Sequence, residues 1–268
     1  MLNVRSFKKM KKSNNNIVMV TAYDYPSGRL VEASKSDIIL VGDSLGMVVL
    51  GYESTLQVTL EDIIHHSKAT RRGAKDTFIV ADMPFMSYHL DINNTKLNAS
   101  RLIIEGKANA VKVEGGSDSR LEVIRAITDC EIPVVAHLGL TPQSINKFGG
   151  YRVQGKSETA YKQILQEAIA IQEAGAFMVV LEGVPEKLAK EISETLSIPT
   201  IGIGAGRYCD GQVLVYHDII GSSDYIAKFV KVYADVDKIV LDALTNYVND
   251  VKGNSFPEEK HTYFPIEG

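Results

Sequence analysis

The chain has 268 residues, 45% of them apolar and 23% charged, with a formal net charge of −4. That length matches the ~250 residues of one α/β barrel, and the acidic balance lacks the basic excess of a nucleic-acid surface. With only two cysteines, Cys130 and Cys209, the chain has no disulfide framework or thiolate metal cage and suits a reducing cytoplasm, and no apolar run approaches the ~18 residues of a membrane span.

The chain opens with Lys8, Lys9, Lys11 and Lys12 ahead of the polar run Ser13 to Asn16. No apolar segment follows, so this is not a secretory signal, and a solvated lead-in arm is expected. Strands are then predicted at Ile17–Tyr23, Ile38–Ser44, Phe78–Pro84, Ala110–Gly116, Pro133–Leu140, Phe177–Val184, Pro199–Ala205 and Gln212–Ile219. Continuous apolar runs such as Ile38-Ile39-Leu40-Val41 suit parallel strands covered on both faces.

Helical signals fill the intervals. Thr59-Leu60-Glu61-Asp62 reads as a capping box opening a helix to about Arg72. Ser157 to Glu173 carries the stripe Ala160, Ile164, Leu165, Ala168, Ile171, and Gly175 ends it. Thr95–Lys107, Ser119–Thr128, Pro185–Leu196 and a stretch from Tyr225 to about Val251 are also predicted helical. Strand–helix alternation argues for a parallel sheet with right-handed crossovers. Eight units fit a closed (β/α)8 barrel, a doubly wound open sheet being the alternative. One domain is expected over 1–268, with a short N-terminal arm and a tail from Gly253 to Gly268.

In such a barrel the functional groups stand at the carboxyl ends of the strands. The polar residues there are Asp43 and Ser44, Asp82, Lys112 and Glu114, His137, and Glu182. Lys112 and Glu114 are two apart and share a face of their strand. Charges inside so apolar a segment are costly unless paired or bound to a metal. Asp43, Asp82 and Glu114 form an oxygen-ligand set suited to Mg2+. Singly, each acid could instead cap a helix or pair with a lysine; together, and with Lys112, they favour a site. Glu182 suits a general base or a helix-cap partner. His137 suits a proton shuttle, a substrate donor or a satisfied core histidine.

Weaker features remain. Gly202-Ile203-Gly204-Ala205-Gly206-Arg207 fails the dinucleotide G-x-G-x-x-G spacing and reads as a tight turn. His65 and His66 diverge around their helix and are expected at a surface. The stretch Gly139 to Lys156 is long for a barrel loop, and lids are often built so. Tyr151 and Arg152 could reach a ligand from it.

Several segments together resemble ketopantoate hydroxymethyltransferases: Val41-Gly42-Asp43-Ser44-Leu45-Gly46-Met47, Ala81-Asp82-Met83-Pro84-Phe85, Val111-Lys112-Val113-Glu114-Gly115-Gly116, His137-Leu138-Gly139-Leu140-Thr141-Pro142-Gln143, Phe148-Gly149-Gly150-Tyr151, Leu181-Glu182-Gly183-Val184-Pro185 and Ile201-Gly202-Ile203-Gly204-Ala205-Gly206. The likeness runs in order from about Thr21 to Phe264. One departure, a slightly long Leu90–Leu97 segment, is assigned to a loop.

The resemblance implies a barrel of the phosphoenolpyruvate mutase/isocitrate lyase type. It implies transfer of a hydroxymethyl group from 5,10-methylenetetrahydrofolate to 3-methyl-2-oxobutanoate, giving 2-dehydropantoate in pantothenate, hence coenzyme A, synthesis. By matched position, Asp43, Asp82 and Glu114 would form the magnesium set. Asp43, Ser44, Asp82 and Lys112 would contact the keto acid, Glu182 would be the proton acceptor, and the chain would form a homo-oligomer, a decamer. The implied chemistry is attack by a Mg2+-stabilised enolate, with His137 a possible proton relay behind Glu182. A Schiff base on Lys112 is the alternative mechanism. Another metal-dependent C–C lyase and a non-catalytic binding barrel are the alternative functions.

Overall fold

Alternate residues of successive strands gather into two separate apolar clusters, and this sorting makes the barrel. One cluster includes Ile17, Met19, Ile38, Leu40, Phe78, Val80, Val135, Val180 and Val213. The residues between them, such as Ile39, Val41, Ile79, Ala81, Val111 and Val113, join the other cluster with the helices. The first set fills the barrel and the second seals the wall against its coat, as the period-two geometry of strands requires.

The computed structural model describes residues 2–265; the last three residues of the expected tail lie outside them. The strands are β1 (Ile17–Thr21), β2 (Ile38–Val41), β3 (Phe78–Asp82), β4 (Ala110–Glu114), β5 (Val134–Gly139), β6 (Met178–Glu182), β7 (Thr200–Ile203) and β8 (Gly211–Leu214). They pair in parallel and in sequence order, and β8 closes on β1. All eight predicted strands are present, each shorter than its predicted span. The last ends at Leu214, and Tyr216–Ile220 is helical.

The helix Leu60–Gly73 starts at Thr59 in a reciprocal capping box with Asp62. The helix Glu158–Glu173 is capped by Ser157. Asp91 caps a helix over Ile92–Ile104, so most of the Leu90–Leu97 segment expected to be a loop is helical. Tyr25–Ala33 is a helix that the sequence pattern does not signal. Its Pro26 falls in the first turn, where proline costs no hydrogen bond. Gly28 sits where an added Cβ would lie 2.7 Å from the Thr70 carbonyl oxygen, so the glycine permits close packing on Leu60–Gly73.

The N-terminal segment is not a solvated arm. Val4–Lys12 is a helix with a capping box between Asn3 and Ser6. Its Phe7 is fully buried among the strand starts, edge-on to Phe78 with centroids 5.1 Å apart and stacked on Phe177 at 6.3 Å. Lys11 Nζ reaches Asp210 Oδ2 and the Ser193 carbonyl, both at 2.7 Å. The lysines give a solvated look to a segment whose other face closes the amino-terminal end of the barrel.

The chain divides into two compact units. The barrel unit runs to Tyr216 and includes Ala227–Phe229. The second unit, His217–Ile226 with the residues from Val230 onward, contains the helix Val236–Lys252, which is capped by Asp235 and so begins well after Tyr225. Among the described residues, no helix is long and apolar enough to cross a membrane.

Candidate active site

The barrel's interior columns change character at the carboxyl ends of their strands. Phe78 and Val80 are followed by Asp82, Ala110 by Lys112 and Glu114, Val135 by His137, and Met178 and Val180 by Glu182. The two-residue step keeps each charged residue on the face of its apolar predecessor, pointing inward. Register then sets neighbours: Asp82 is the Cα partner of Lys112, and Glu114 of His137.

The contacts follow from that register. Lys112 Nζ lies 2.9 Å from Asp82 Oδ1 and 3.6 Å from Glu114 Oε1. His137 Nδ1 is 3.3 Å from Glu114 Oε1, and its Nε2 is 3.2 Å from Glu182 Oε2. Gly139, with φ +92°, follows on β5; any Cβ there would lie 2.2 Å from the Glu182 carbonyl oxygen. The glycine therefore lets β6 come close enough for Leu140 N–H to bond that oxygen at 2.8 Å, which holds Glu182 at the mouth.

Asp43 and Ser44 stand just past β2. The Asp43 amide donates to Asp82 Oδ2 at 3.0 Å. Ser44 Oγ is 2.8 Å from the hydroxyl of buried Tyr23, whose carbonyl accepts from His66 Nδ1 at 2.6 Å. His66 thus turns one nitrogen inward. All seven residues predicted for the site, Asp43, Ser44, Asp82, Lys112, Glu114, His137 and Glu182, meet at one end of the barrel.

Two residues given no role from sequence join them. Tyr88 is buried in a loop and Gln143 in the short 3-10 turn Pro142–Ser144, and Gln143 donates through its side chain to Asp43 and through its backbone to Glu114. A signal existed for Gln143: buried acids require donors, and it lies six residues beyond His137 in the same segment. Tyr151 extends from the 139–156 stretch to place its hydroxyl 3.7 Å from Met47 Sδ. In the Gly202–Arg207 turn, Arg207 pairs with Glu186 at 2.9 Å.

Burial and crowding set the charges. Burial first, then Asp82 and Glu114, drive the Asp43 carboxyl well above its ordinary range, against Lys112 and Gln143. Burial also raises Asp82, with Lys112 opposing it. Burial acts the same way on Glu114, but the His137 and Lys112 partners outweigh it and hold that carboxyl low. Burial would depress Lys112, yet Asp82, Glu114 and Asp43 together hold its ammonium far above the usual lysine range. Burial and Lys112 push the His137 imidazole down; Glu114 and Glu182 outweigh them and raise it to about 9. The 3.3 Å approach of Lys112 Nζ to His137 Nδ1 is then a contact of two cations among carboxylates, not a hydrogen bond.

Fully ionised, the four carboxylates (Asp43, Asp82, Glu114, Glu182) would exceed the two cations (Lys112, His137) by two charges; that crowding helps to raise Asp43, and a divalent ion would relieve it. Asp82 Oδ1 and Glu114 Oε1 have ion-pair neighbours but no well-aligned hydrogen bond. Among the described residues, no group of three or more His, Cys, Asp or Glu side chains is placed to hold a metal ion by itself. The two carboxylate oxygens without a hydrogen bond would suit a hard cation that takes the rest of its shell from water and substrate oxygens, as Mg2+ does.

A family model described as ketopantoate hydroxymethyltransferase matches residues 1–259. The 3-methyl-2-oxobutanoate hydroxymethyltransferase of Clostridium beijerinckii is 54% identical over 261 residues, covering 97% of this chain and 94% of that one. A Geobacillus protein of the same name is 57% identical over 258 residues, covering 96% and 92%. Among solved structures, the phosphoenolpyruvate phosphomutase of Streptomyces platensis subsp. rosaceus aligns with a TM-score of 0.64 at 13% identity, over 94% of this chain and 88% of that one. A phosphonopyruvate hydrolase in complex with oxalate and Mg2+ aligns with a TM-score of 0.64 at 10% identity, over 99% and 93%. These two likenesses concern the fold alone, the closed parallel barrel. With more than half of its residues shared over nearly their whole length with enzymes of one name, the chain belongs to the ketopantoate hydroxymethyltransferase family.

Proposed function

We propose that the barrel mouth transfers a hydroxymethyl group from 5,10-methylenetetrahydrofolate to 3-methyl-2-oxobutanoate, giving 2-dehydropantoate for pantothenate synthesis. Family membership supplies the activity. The observation that supports the division of labour is the linked line Asp82–Lys112–Glu114–His137–Glu182, an acid-and-cation chain ending on a less buried carboxylate.

Asp43, Asp82 and Glu114 would hold Mg2+, directly or through water. When bound, the ion polarises the keto acid's carbonyl and stabilises negative charge developing there. Lys112, kept cationic by its neighbours, adds a fixed positive charge beside the same position. Asp43, Ser44, Asp82 and Lys112 contact the keto acid. Glu182 takes the proton from its C–H, and His137 orients the Glu182 carboxylate through Nε2. Water adds to the folate's methylene carbon and both C–N bonds break, releasing tetrahydrofolate and leaving the carbon as formaldehyde. The carbanion forms the new C–C bond to that carbon, the carbonyl electron pair moves to its oxygen, and that oxygen takes the proton held by Glu182 to become the hydroxymethyl group.

The Schiff-base alternative needs a neutral Lys112 amine to attack the carbonyl. Two adjacent carboxylates hold it protonated, which disfavours that route. The deciding experiment is a folate-dependent assay for 2-dehydropantoate, with and without Mg2+, combined with borohydride trapping. Product formation that needs divalent cation, without reduced adduct on Lys112, supports the proposal; metal-independent turnover or a trapped adduct defeats it.

A homo-oligomer in the cytoplasm, the decamer of the resemblance, is part of the same proposal. The free cysteines, Cys130 exposed and Cys209 buried, suit a reducing compartment. The helix Val236–Lys252 leaves Ile239, Leu241, Leu244 and Tyr247 each more than half exposed, as a face used between copies would. Sedimentation of the intact chain tests this, and a monomer at all concentrations would exclude it.

A further inference from the structure

Asp43 needs its carboxylate aimed, and nothing on its own loop aims it. The group that touches it is the Gln143 side chain, which donates from Nε2 to Asp43 Oδ2 at 2.8 Å and to the Met83 carbonyl at 3.0 Å. Two acceptors there fix the sense of the amide, since only the NH2 end can satisfy both. The other end, Oε1, accepts from the Tyr88 hydroxyl at 2.6 Å. That hydroxyl in turn accepts from the Glu114 amide at 3.2 Å. The Gln143 backbone N–H donates to Glu114 Oε2 at 3.0 Å.

The directions close without conflict. Glu114 N–H donates to Tyr88, Tyr88 O–H donates to Gln143, and Gln143 N–H donates to Asp43. The chain runs from the end of β4, through the loop before Ile92–Ile104 and the turn Pro142–Ser144, to the loop after β2. Tyr88, Gln143 and Asp43 are each less than one-tenth exposed, so water does not compete for these bonds. Tyr88 is held from behind by Arg120, whose guanidinium lies 4.8 Å from the ring centroid and donates to the Tyr88 carbonyl at 3.4 Å.

We propose that Gln143 is a positioning residue for Asp43, holding Oδ2 away from the ligand so that Oδ1 is presented to it, and that Tyr88 acts through Gln143 by fixing which way round the amide lies. This rests on the reading of Asp43 as a contact to the Mg2+–keto acid pair. Gln143→Met keeps the backbone N–H that holds Glu114 Oε2, so its effect on ligand affinity runs through the side-chain bond to Asp43.

The test is binding rather than turnover: titration calorimetry of 3-methyl-2-oxobutanoate with Mg2+ present, for Gln143→Met, Tyr88→Phe, the double variant and Asp43→Asn. Thermal unfolding of each is recorded alongside. Gln143→Met should weaken keto-acid binding by about tenfold, the scale of one hydrogen bond to a charged group. Tyr88→Phe, which keeps its shape, should weaken it by roughly threefold or more. The double variant should bind no worse than Gln143→Met alone within about twofold, because Tyr88 works through the amide. Losses that multiply in the double variant, or single variants that bind like the wild type while Asp43→Asn does not, would overturn the proposal and leave the Asp43 reading intact. Unchanged binding in Asp43→Asn would overturn both.

Discussion

His137 Nε2 lies 3.2 Å from Glu182 Oε2, while Nδ1 of the same ring lies 3.3 Å from Glu114 Oε1. One imidazole thus spans two carboxylates of different standing: Glu114 is deep and already paired with Lys112, whereas Glu182 is the more exposed, at 15% of its side chain. The imidazole thus stands behind the carboxylate proposed to meet the substrate C–H. Glu182→Gln keeps the shape and the 3.2 Å approach to His137 Nε2 but removes the proposed base. Deuterium exchange at the C–H of 3-methyl-2-oxobutanoate, followed by NMR without folate, should fall at least about a hundredfold, in the range of general-base losses. Keto-acid affinity should stay within about threefold. Exchange at the wild-type rate would remove Glu182 from the role.

The same geometry predicts a pH dependence for the metal-free protein. The folded-state value of His137 is raised to about 9 by Glu114 and Glu182 against burial and Lys112; an unfolded chain gives about 6.5. Between those values the folded state keeps a proton that the unfolded state releases. The contribution is therefore complete below about pH 6.5, shrinks as pH rises, and is gone above about 9. Wild-type stability in urea should decline from pH 7 to 9 more steeply than that of His137→Asn. The imidazole resonances should titrate near 9, and a midpoint near 6.5 would contradict the assignment.

Most of the site was legible because its residues break a strong pattern. Lys112 and Glu114 stand inside Ala110-Val111-Val113, and a charge two residues from another on a buried strand must face either a partner or a ligand. Asp82 and Glu182 end apolar runs, and barrel geometry puts such ends at one mouth. Gln143, Tyr88 and Tyr23 carry no charge and lie outside the strands and long helices, so their burial depends on packing that no local periodicity encodes. The helix Tyr25–Ala33 was hidden for another reason: Pro26 and Gly28 count against a helix by propensity, and only the fit against Thr70 explains the glycine. Phe7 was masked by the lysines around it.

Lys112 is the next test, because its ammonium is buried beside two acids. Lys112→Met removes the charge while keeping a similar length, leaving Asp82 and Glu114 buried without it. Breaking a buried pair in this way costs about 3–5 kcal/mol. The loss depends on the acids being ionised: without the lysine, Asp82, already raised by burial, rises further, and Glu114 loses one of the partners that hold it low. The penalty should therefore be large at pH 8 and shrink toward pH 5, as the folded state takes up protons. Urea unfolding in the absence of divalent cation measures it. Equal penalties at both pH values would show that packing rather than charge is at stake.

Phe7 separates stability from chemistry. It lies among the first residues of the strands, against Phe78 and Phe177, at the end of the barrel opposite Asp82, Glu114 and Glu182. Phe7→Ala removes a fully buried ring and leaves a space that the rigid barrel wall cannot close. The expected cost is about 3–5 kcal/mol, the range for buried phenylalanine truncation. Below the lowered melting temperature, keto-acid affinity and C–H exchange should match the wild type, because no charged group at the mouth shifts register. A variant that unfolds as readily but also loses exchange at low temperature would mean that the two ends of the barrel are coupled, with the β3 and β6 strands that begin near Phe78 and Phe177 carrying the disturbance to Asp82 and Glu182.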